Sequence, residues 1–247
     1  MGTNVVTVTL AALATALATG LGAVPFFFVS SMSRRWIGIS NAAAAGFMLS
    51  ASGALLLEGL VRGPGRVVAG VAVGVIFIAV TRRIVGKYDE LRFGRLEAAD
   101  AKKAILIIAV MTVHSFSEGV GVGVAYGGGA ALGVFITLAI AIHNIPEGLA
   151  ISLVLVPRGT PVLAAAGWSI FTSLPQPLVA APAFLFVEAF RPFLPVGFGF
   201  AAGAMTWLVF AELLPDAQEE MQPRALAMWL GGSFAGMSLL QLALLAR

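Results

Sequence analysis

The chain has 247 residues, of which 59% are hydrophobic and 11% are charged, with a formal net charge of +3 and no cysteine. A soluble domain carries about 25% charged residues, so this composition excludes an ordinary soluble protein. A nucleic-acid binder would need a dense basic face, which the basic residues here, placed between apolar runs, do not form. The absence of cysteine also excludes disulfides and thiolate metal ligands.

The apolar residues fall in runs of about 20, which is long enough for a helix to span roughly 30 Å of hydrocarbon. These runs do not alternate apolar and polar residues as a transmembrane β-strand would. The sequence therefore predicts an all-α polytopic membrane protein. Eight transmembrane helices are predicted at 5–29, 40–61, 66–85, 104–126, 130–156, 161–187, 193–214 and 225–246.

The ends of the predicted helices indicate how the chain is organised. The first apolar run is too long for a signal-peptide core and lacks a basic leader, so we expect it to be a retained helix. We expect residues 1–247 to form a single transmembrane domain, in which the polar segment 86–103 is a cytoplasmic loop between helices three and four.

Basic residues predict the orientation of the helices. With both termini on the non-cytoplasmic side, four Lys or Arg lie outside: Arg62, Arg66, Arg191 and Arg247. Eleven then lie on the cytoplasmic side: Arg34, Arg35, Arg82, Arg83, Lys87, Arg92, Arg95, Lys102, Lys103, Arg158 and Arg224. Cytoplasmic loops carry an excess of Lys and Arg, so the sequence predicts this orientation.

The two histidines of the chain begin two copies of one motif, His-x-x-x-Glu-Gly, at His114–Gly119 and His143–Gly148. Residues four apart share a helix face, so each histidine points the same way as the glutamate of its motif. The predicted turn at 127–129 is equidistant from both histidines, which places them at one depth, about 21 Å from the turn. Ionisable residues inside a membrane mark a functional site, so we expect the four side chains to converge.

Imidazole nitrogen and carboxylate oxygen suit Zn²⁺, and also Fe²⁺, Mn²⁺ or Cd²⁺. Pro146 adds to this interpretation, because a proline inside a helix leaves the carbonyl of Ile142 without its usual partner. At membrane depth that carbonyl needs another partner, which an ion or its waters could supply, and transporters often interrupt helices at their ligand sites. The alternative is that both histidines only form hydrogen bonds between helices.

These motifs resemble those of the Zrt- and Irt-like (ZIP) family of divalent-metal transporters, in its bacterial GufA-like branch. His143-Asn144-Ile145-Pro146-Glu147-Gly148 fits the family's helix-five motif, and His114–Gly119 fits the helix-four motif, except that Ser115 replaces the usual asparagine. The resemblance extends over about residues 40–216. It includes three further stretches, namely 45–49 with Met48, 173–178 with Gln176 in place of a usual glutamate, and 199–216.

The resemblance implies a 3+2+3 arrangement in which the first and last three helices are inverted repeats around helices four and five. It implies one metal position formed by four ligands with Met48 nearby, the ligands being His114, Glu118, His143 and Glu147. It implies a second position formed by Ser115, Asn144, Glu147 and Gln176. Because Ser115 and Gln176 are weaker, neutral ligands, we predict one well-occupied position and a weak or vacant neighbour.

The sequence and the resemblance together predict a transporter that carries Zn²⁺, or alternatively Fe²⁺, Mn²⁺ or Cd²⁺, into the cytoplasm by alternating access. The metal is then the transported substrate, and no cofactor is expected. The expected partners are the metal ion and the lipid bilayer, with no nucleic acid. The resemblance further implies a homodimer in the cytoplasmic membrane of a bacterium.

Two other functions stay open at this point. An intramembrane metallohydrolase could use a zinc-bound water beside Ser115 or Ser117. Catalytic zinc sites commonly use three strong protein ligands and a separate base, however, and the chain has no His-Glu-x-x-His. We therefore do not expect an enzyme. A metal sensor that binds without transport is the remaining alternative.

Overall fold

The computed structural model describes residues 4–29, 33–85 and 98–245, and these residues are almost entirely helical. In these described ranges, ten α-helices follow one another: α1 Val5–Thr19, α2 Arg34–Arg62, α3 Pro64–Val85, α4 Ala98–Gly128, α5 Ala130–Leu155, α6 Val162–Ser173, α7 Pro175–Ala189, α8 Leu194–Leu208, α9 Leu214–Glu220 and α10 Pro223–Leu245. Three 3₁₀ segments, Gly20–Phe27, Val156–Arg158 and Arg191–Phe193, and one π-helical segment, Val209–Leu213, connect some of them.

Within the described residues, seven helical stretches are long and apolar enough to cross a membrane: Val5–Phe27, Arg35–Arg62, Pro64–Thr81, Ala130–Arg158, Val162–Ala189, Arg191–Glu220 and Pro223–Ala243. The 31-residue α4, which carries the first motif, lies between the third and fourth of these and completes the eight predicted spans. Large apolar side chains cover the outside, including Leu163, Leu178 and Leu242. Such a surface fits lipid rather than water, and the predicted all-α polytopic membrane fold is confirmed.

Several predicted helices differ from the observed ones in regularity. The first continues beyond Thr19 as the 3₁₀ segment Gly20–Phe27, and the seventh passes through the π-helical segment into α9. The sixth is divided into α6 and α7 at Leu174, because Pro175 has no N–H to continue the helix. The amide of Leu174 instead donates to the carbonyl oxygen of Phe171 at 3.2 Å.

At two positions, the start of α4 and Pro146 in α5, the chain is helical where the sequence predicts a loop or an interruption. The segment 86–103 was expected to be a loop, but α4 already begins at Ala98, and residues 86–97 lie outside the described residues. An interruption was expected near Pro146, but α5 is continuous from Ala130 to Leu155. The proline is accommodated within the helix, which therefore presents both polar side chains of its motif from one regular surface.

The helices pack in two groups that are related by the order of the elements. In the site group, α1 packs against α5, α4 packs against α7, and α1 packs against α7. In the second group, α3 packs against α8 and α2 packs against α10. Exchanging the first three spans with the last three, and α4 with α5, interchanges α1·α5 with α4·α7 and α3·α8 with α2·α10, and it leaves α1·α7 unchanged. This correspondence agrees with the inverted repeats that the resemblance implies.

The glycine of each motif lies where the backbone of a neighbouring helix comes very close. A Cβ atom at Gly148 would lie 1.7 Å from the carbonyl oxygen of Thr19, and one at Gly119 would lie 2.6 Å from that of Gln176. Small residues let helix backbones approach closely in membrane proteins. Both motifs therefore end on a glycine because a partner helix, α1 or α7, occupies the space of a side chain.

A single residue, Gly129, connects α4 to α5. Its φ of 147° lies in the region that favours glycine, and its amide donates to the carbonyl oxygens of Ala125 and Tyr126 at 3.1 Å. The turn was predicted at 127–129, whereas Gly127 and Gly128 still belong to α4 and only Gly129 forms the turn. The short link makes α4 and α5 antiparallel neighbours and sets the depth of their motifs.

Candidate metal site

His114, Glu118, His143 and Glu147 come together between α4 and α5. Each offers one ligand atom, and these four atoms all lie within 4.8 Å of one another. All four residues are buried, and Glu118 and His143 have no exposed surface. The convergence that the helical spacing predicted is therefore present in the fold.

The closest contacts cross from one motif to the other. Nε2 of His114 lies 2.6 Å from Oε1 of Glu147 on α5, and Nε2 of His143 contacts Oε1 of Glu118 on α4. The contacts within each motif are longer, at 3.2 Å for His114 with Glu118 and 3.9 Å for His143 with Glu147. The four residues thus form one site shared by both helices, rather than two separate pairs.

The histidine rings are oriented so that Nε2 faces the carboxylates. Nδ1 of His143 lies 3.1 Å from the carbonyl oxygen of Ala139, which can only accept, so Nδ1 carries the proton. The lone pair of Nε2 is then available to bind a metal. In many metal-binding histidines a hydrogen bond from the other ring nitrogen to a backbone carbonyl fixes the tautomer in the same way. Nε2 of His114 is buried without hydrogen-bond geometry to any described partner, although a carboxylate oxygen lies beside it.

A hydrogen-bonded network lies behind Glu118. Oε2 of Glu118 accepts from Nε2 of Gln176 on α7 at 2.5 Å. Oε1 of Gln176 accepts from the hydroxyl of Thr15 on α1 at 2.5 Å and from Nδ2 of Asn144 at 3.2 Å. Nδ2 of Asn144 also donates to the backbone oxygen of Thr15 at 2.8 Å. Side chains from α1, α4, α5 and α7 are therefore joined around one carboxylate.

The remaining predicted site residues are all buried. Within the described part of the chain, Oγ of Ser115 and Oδ1 of Asn144 have no hydrogen-bond partner, so both have lone pairs available. Gln176 contacts Glu118 through its amide nitrogen, which has no lone pair to offer a metal. Met48 is fully buried on α2, a helix that packs against α5.

Two imidazole nitrogens and two carboxylates form a donor set that fits a borderline divalent cation. Two ionised carboxylates at this position would carry two negative charges, which a dication would neutralise in a region where uncompensated charge is strongly unfavourable. The fold and the site together define an integral membrane protein with a buried cluster of four side chains that is suited to hold a cation.

Comparisons with known proteins agree with this class. The family model described as ZIP zinc transporter matches residues 90–245. The zinc transporter GufA of Myxococcus xanthus is 32% identical over 222 residues, which cover 84% of this chain and 87% of the relative. The zinc transporter ZIPB of Bordetella bronchiseptica is 32% identical over 240 residues, which cover 92% of this chain and 78% of the relative.

The Arabidopsis thaliana protein At3g08650 is 53% identical over 227 residues, which cover 91% of this chain. The matched region spans only 36% of that relative, so the chain corresponds to about a third of it. The chain belongs to the ZIP family of metal transporters. Its members are transporters and not enzymes, which removes the metallohydrolase from consideration.

One residue of the site network, Thr15, was not identified from the sequence. Thr15 is one of several threonines in an apolar run, and neither a motif nor a periodicity distinguishes it from Thr7 or Thr19. Only the packing of α1 against α5 and α7 brings it to Gln176 and Asn144. The close approach at Gly148 is the physical reason for that packing.

Proposed function

We propose that this protein transports a divalent cation, with Zn²⁺ as the preferred substrate, into the cytoplasm through the site between α4 and α5. The observation that carries the proposal is the buried set of His114, Glu118, His143 and Glu147, with all four ligand atoms within 4.8 Å. The relatives GufA and ZIPB are both named as zinc transporters, which supports the choice of Zn²⁺.

The proposed mechanism is alternating access. A hydrated cation exchanges its water for two imidazole nitrogens and two carboxylate oxygens, and the protein then opens the site to the other side. The separation of the helices into a site group and a second group supports a movement of one group against the other. Mixed nitrogen and oxygen ligands suit transport because the ion must also leave.

We further propose that one cation position is well occupied and that its neighbour is weak. Free lone pairs on Ser115 Oγ and Asn144 Oδ1 support some affinity at the neighbour, whereas both are neutral and therefore weak ligands. Anomalous diffraction from Zn²⁺-soaked crystals should give one strong peak among the four main ligands. Two peaks of full occupancy would contradict the single-ion proposal.

The orientation and assembly are also part of the proposal. The distribution of Lys and Arg supports termini on the non-cytoplasmic side, and the bacterial relatives support a bacterial cytoplasmic membrane. The resemblance to ZIP proteins alone supports a homodimer. Labelling of an introduced terminal cysteine in intact cells tests the first point, and native mass spectrometry tests the dimer.

The direct test is the uptake of radiolabelled Zn²⁺ into proteoliposomes that contain the purified chain. His143→Ala and Glu147→Ala should each abolish saturable uptake, because each removes one of four ligands. Glu58→Gln is the matched control, since Glu58 is only partly buried, lies outside the ligand set and pairs with Arg62 at the end of α2. Uptake that is unchanged in both ligand variants would contradict this site, and saturable binding without any flux would favour a sensor.

A further inference from the structure

We propose that Thr15 is a positioning residue that restricts Glu118 to one carboxylate oxygen at the cation, and that it thereby favours four-coordinate Zn²⁺ over Mn²⁺. The inference rests on the proposed function, because it concerns the same site. Thr15 is fully buried in the C-terminal half of α1, and it lies outside the ligand set.

The donors and acceptors of the network allow only one arrangement. The backbone oxygen of Thr15 can only accept, so the atom of Asn144 that faces it at 2.8 Å is the amide nitrogen. That nitrogen also lies 3.2 Å from Gln176, so the atom of Gln176 on this side is the carbonyl oxygen Oε1. The amide nitrogen of Gln176 must then face Glu118, which it does at 2.5 Å from Oε2.

The Thr15 hydroxyl strengthens this arrangement on the side of Gln176. Its oxygen lies 2.5 Å from Oε1 of Gln176 and 2.7 Å from the carbonyl oxygen of Ala12. The single hydroxyl proton is shared between these two acceptors, and the contact with Gln176 is the shorter of the two. Without this hydroxyl, Oε1 of Gln176 would keep only the 3.2 Å contact with Asn144, and the amide could rotate.

The orientation of Gln176 decides how Glu118 can bind a cation. While Nε2 of Gln176 donates to Oε2, only Oε1 of Glu118 faces the histidine Nε2 atoms, and the site offers four ligand atoms. Four nitrogen and oxygen ligands suit tetrahedral Zn²⁺. A released Glu118 could bind through both oxygens and raise the coordination number, which suits Mn²⁺ better because that ion prefers more oxygen ligands and octahedral geometry.

Thr172 provides a matched control in the other half of the protein. It lies four residues before Gln176, as Thr15 lies four residues before Thr19, and Thr19 and Gln176 are the residues that approach the two motif glycines. The hydroxyl of Thr172 donates to the carbonyl oxygen of Ser169 at 2.7 Å, which is the same type of bond that Thr15 makes with Ala12. Thr172→Val therefore removes a comparable buried hydroxyl without touching the network.

The experiment compares Thr15→Val, Thr15→Ser and Thr172→Val with the unmodified full chain, all purified in detergent. Bound Co²⁺ reports the coordination number, because its visible absorption is strong with four ligands and weak with six. Competition between Zn²⁺ and Mn²⁺ is measured in parallel by equilibrium dialysis. Thr15→Val should weaken the Co²⁺ absorption and lower the preference for Zn²⁺ over Mn²⁺ by about threefold to tenfold, which corresponds to one hydrogen bond.

Thr15→Ser retains the hydroxyl and should behave as the unmodified chain, as should Thr172→Val. A Co²⁺ spectrum and a metal preference of Thr15→Val that equal those of Thr172→Val would overturn the inference. If Thr15→Val does not fold, Thr15→Ala removes the hydroxyl without adding bulk and is judged by the same criteria.

The two proposals fail in different ways. Normal metal binding without uptake in the unmodified chain would contradict the proposed transport. The Co²⁺ spectra of the variants would still decide whether Thr15 has the proposed role. Normal uptake with an unaltered spectrum in Thr15→Val would contradict only the role of Thr15. An unmodified chain that binds neither Co²⁺ nor Zn²⁺ would overturn both.

Discussion

The glycine that ends each His-x-x-x-Glu-Gly motif determines how close the neighbouring helix can come. At Gly148 the carbonyl oxygen of Thr19 occupies the place of a side chain, and at Gly119 the carbonyl oxygen of Gln176 does so. These contacts bring α1 and α7 next to the ligands, so that Thr15 and Gln176 can reach Glu118 and its neighbours. A residue without a side chain is thus as important for the geometry of the site as the ligands.

Gly148→Ala should destabilise the protein, because a Cβ 1.7 Å from a backbone oxygen forces α1 and α5 apart. Overpacking of this kind costs about 1–3 kcal/mol of unfolding free energy. Gly53→Ala is the control, since a Cβ at Gly53 on α2 meets no atom within 4 Å and alanine favours the helix. Thermal unfolding in detergent measures both variants, and equal stability for the two would contradict the close approach.

The sequence was sufficient to predict which four side chains converge, but it did not predict how they pair. Helical periodicity places each histidine beside the glutamate of its own motif, and the symmetric spacing about the turn gives the common depth. The shorter contacts run from His114 to Glu147 and from His143 to Glu118, and they depend on the distance and rotation between two helices. The role of Thr15 depends on a third helix, so no local pattern could have revealed it.

At the scale of the elements, the prolines in helices have unequal effects. Pro146 lies within a continuous α5, whereas Pro175 begins α7 after the helix has ended at Ser173. The amide of Leu174 can bond to the carbonyl of Phe171, which lets the chain turn between α6 and α7. Sequence reasoning located all eight spans, but whether a proline interrupts a helix depends on the alternative partners that its surroundings offer.

Pro146→Ala should restore the amide that bonds to the carbonyl of Ile142, and it should raise the unfolding free energy by about 1–3 kcal/mol. Because that carbonyl would no longer be available to an ion or its water, Zn²⁺ uptake should fall by about threefold or more. Pro182→Ala is the control, because Pro182 is an exposed residue inside α7. It should increase thermal stability and leave uptake unaltered, and a parallel loss of uptake in both variants would exclude a specific role for Ile142.

At the scale of the whole molecule, the two helix groups are in contact mainly through two pairs of helices. α4 packs against α8 and α2 packs against α5, which joins the site group to the second group. Arg62 on α2 also donates to the carbonyl oxygen of Gly128 at the end of α4, at 3.2 Å. Alternating access by movement of one group against the other requires these contacts to break and re-form.

A disulfide between the groups should therefore stop transport. The chain has no cysteine, so an introduced pair contains its only thiols. The Cβ atoms at Gly121 on α4 and Ala201 on α8 would lie 3.4 Å apart, close to the usual separation in a disulfide. Oxidised Gly121→Cys/Ala201→Cys protein should lose nearly all Zn²⁺ uptake and regain it after reduction.

The control for that experiment is a pair within the second group. Gly38 on α2 and Met221 beyond α9 would have Cβ atoms 3.5 Å apart, which is an equally suitable geometry. Oxidised Gly38→Cys/Met221→Cys protein should keep its uptake, because Met221 lies in the link between α9 and α10, and both of these helices pack against α2 of the second group. If the disulfide between the groups left uptake intact, relative movement at α4 and α8 would not be part of the transport cycle.

The single-residue link at Gly129 has a mechanical consequence. Sliding α4 along α5 by one helical turn would separate the ends of the link by about 5.4 Å, and one residue has no slack to cover that distance. The two helices must therefore travel together through any large rearrangement. We therefore expect the four ligands to keep their distances from one another throughout transport. The access pathways on either side of the bound ion would change, whereas the shape of its binding site would not.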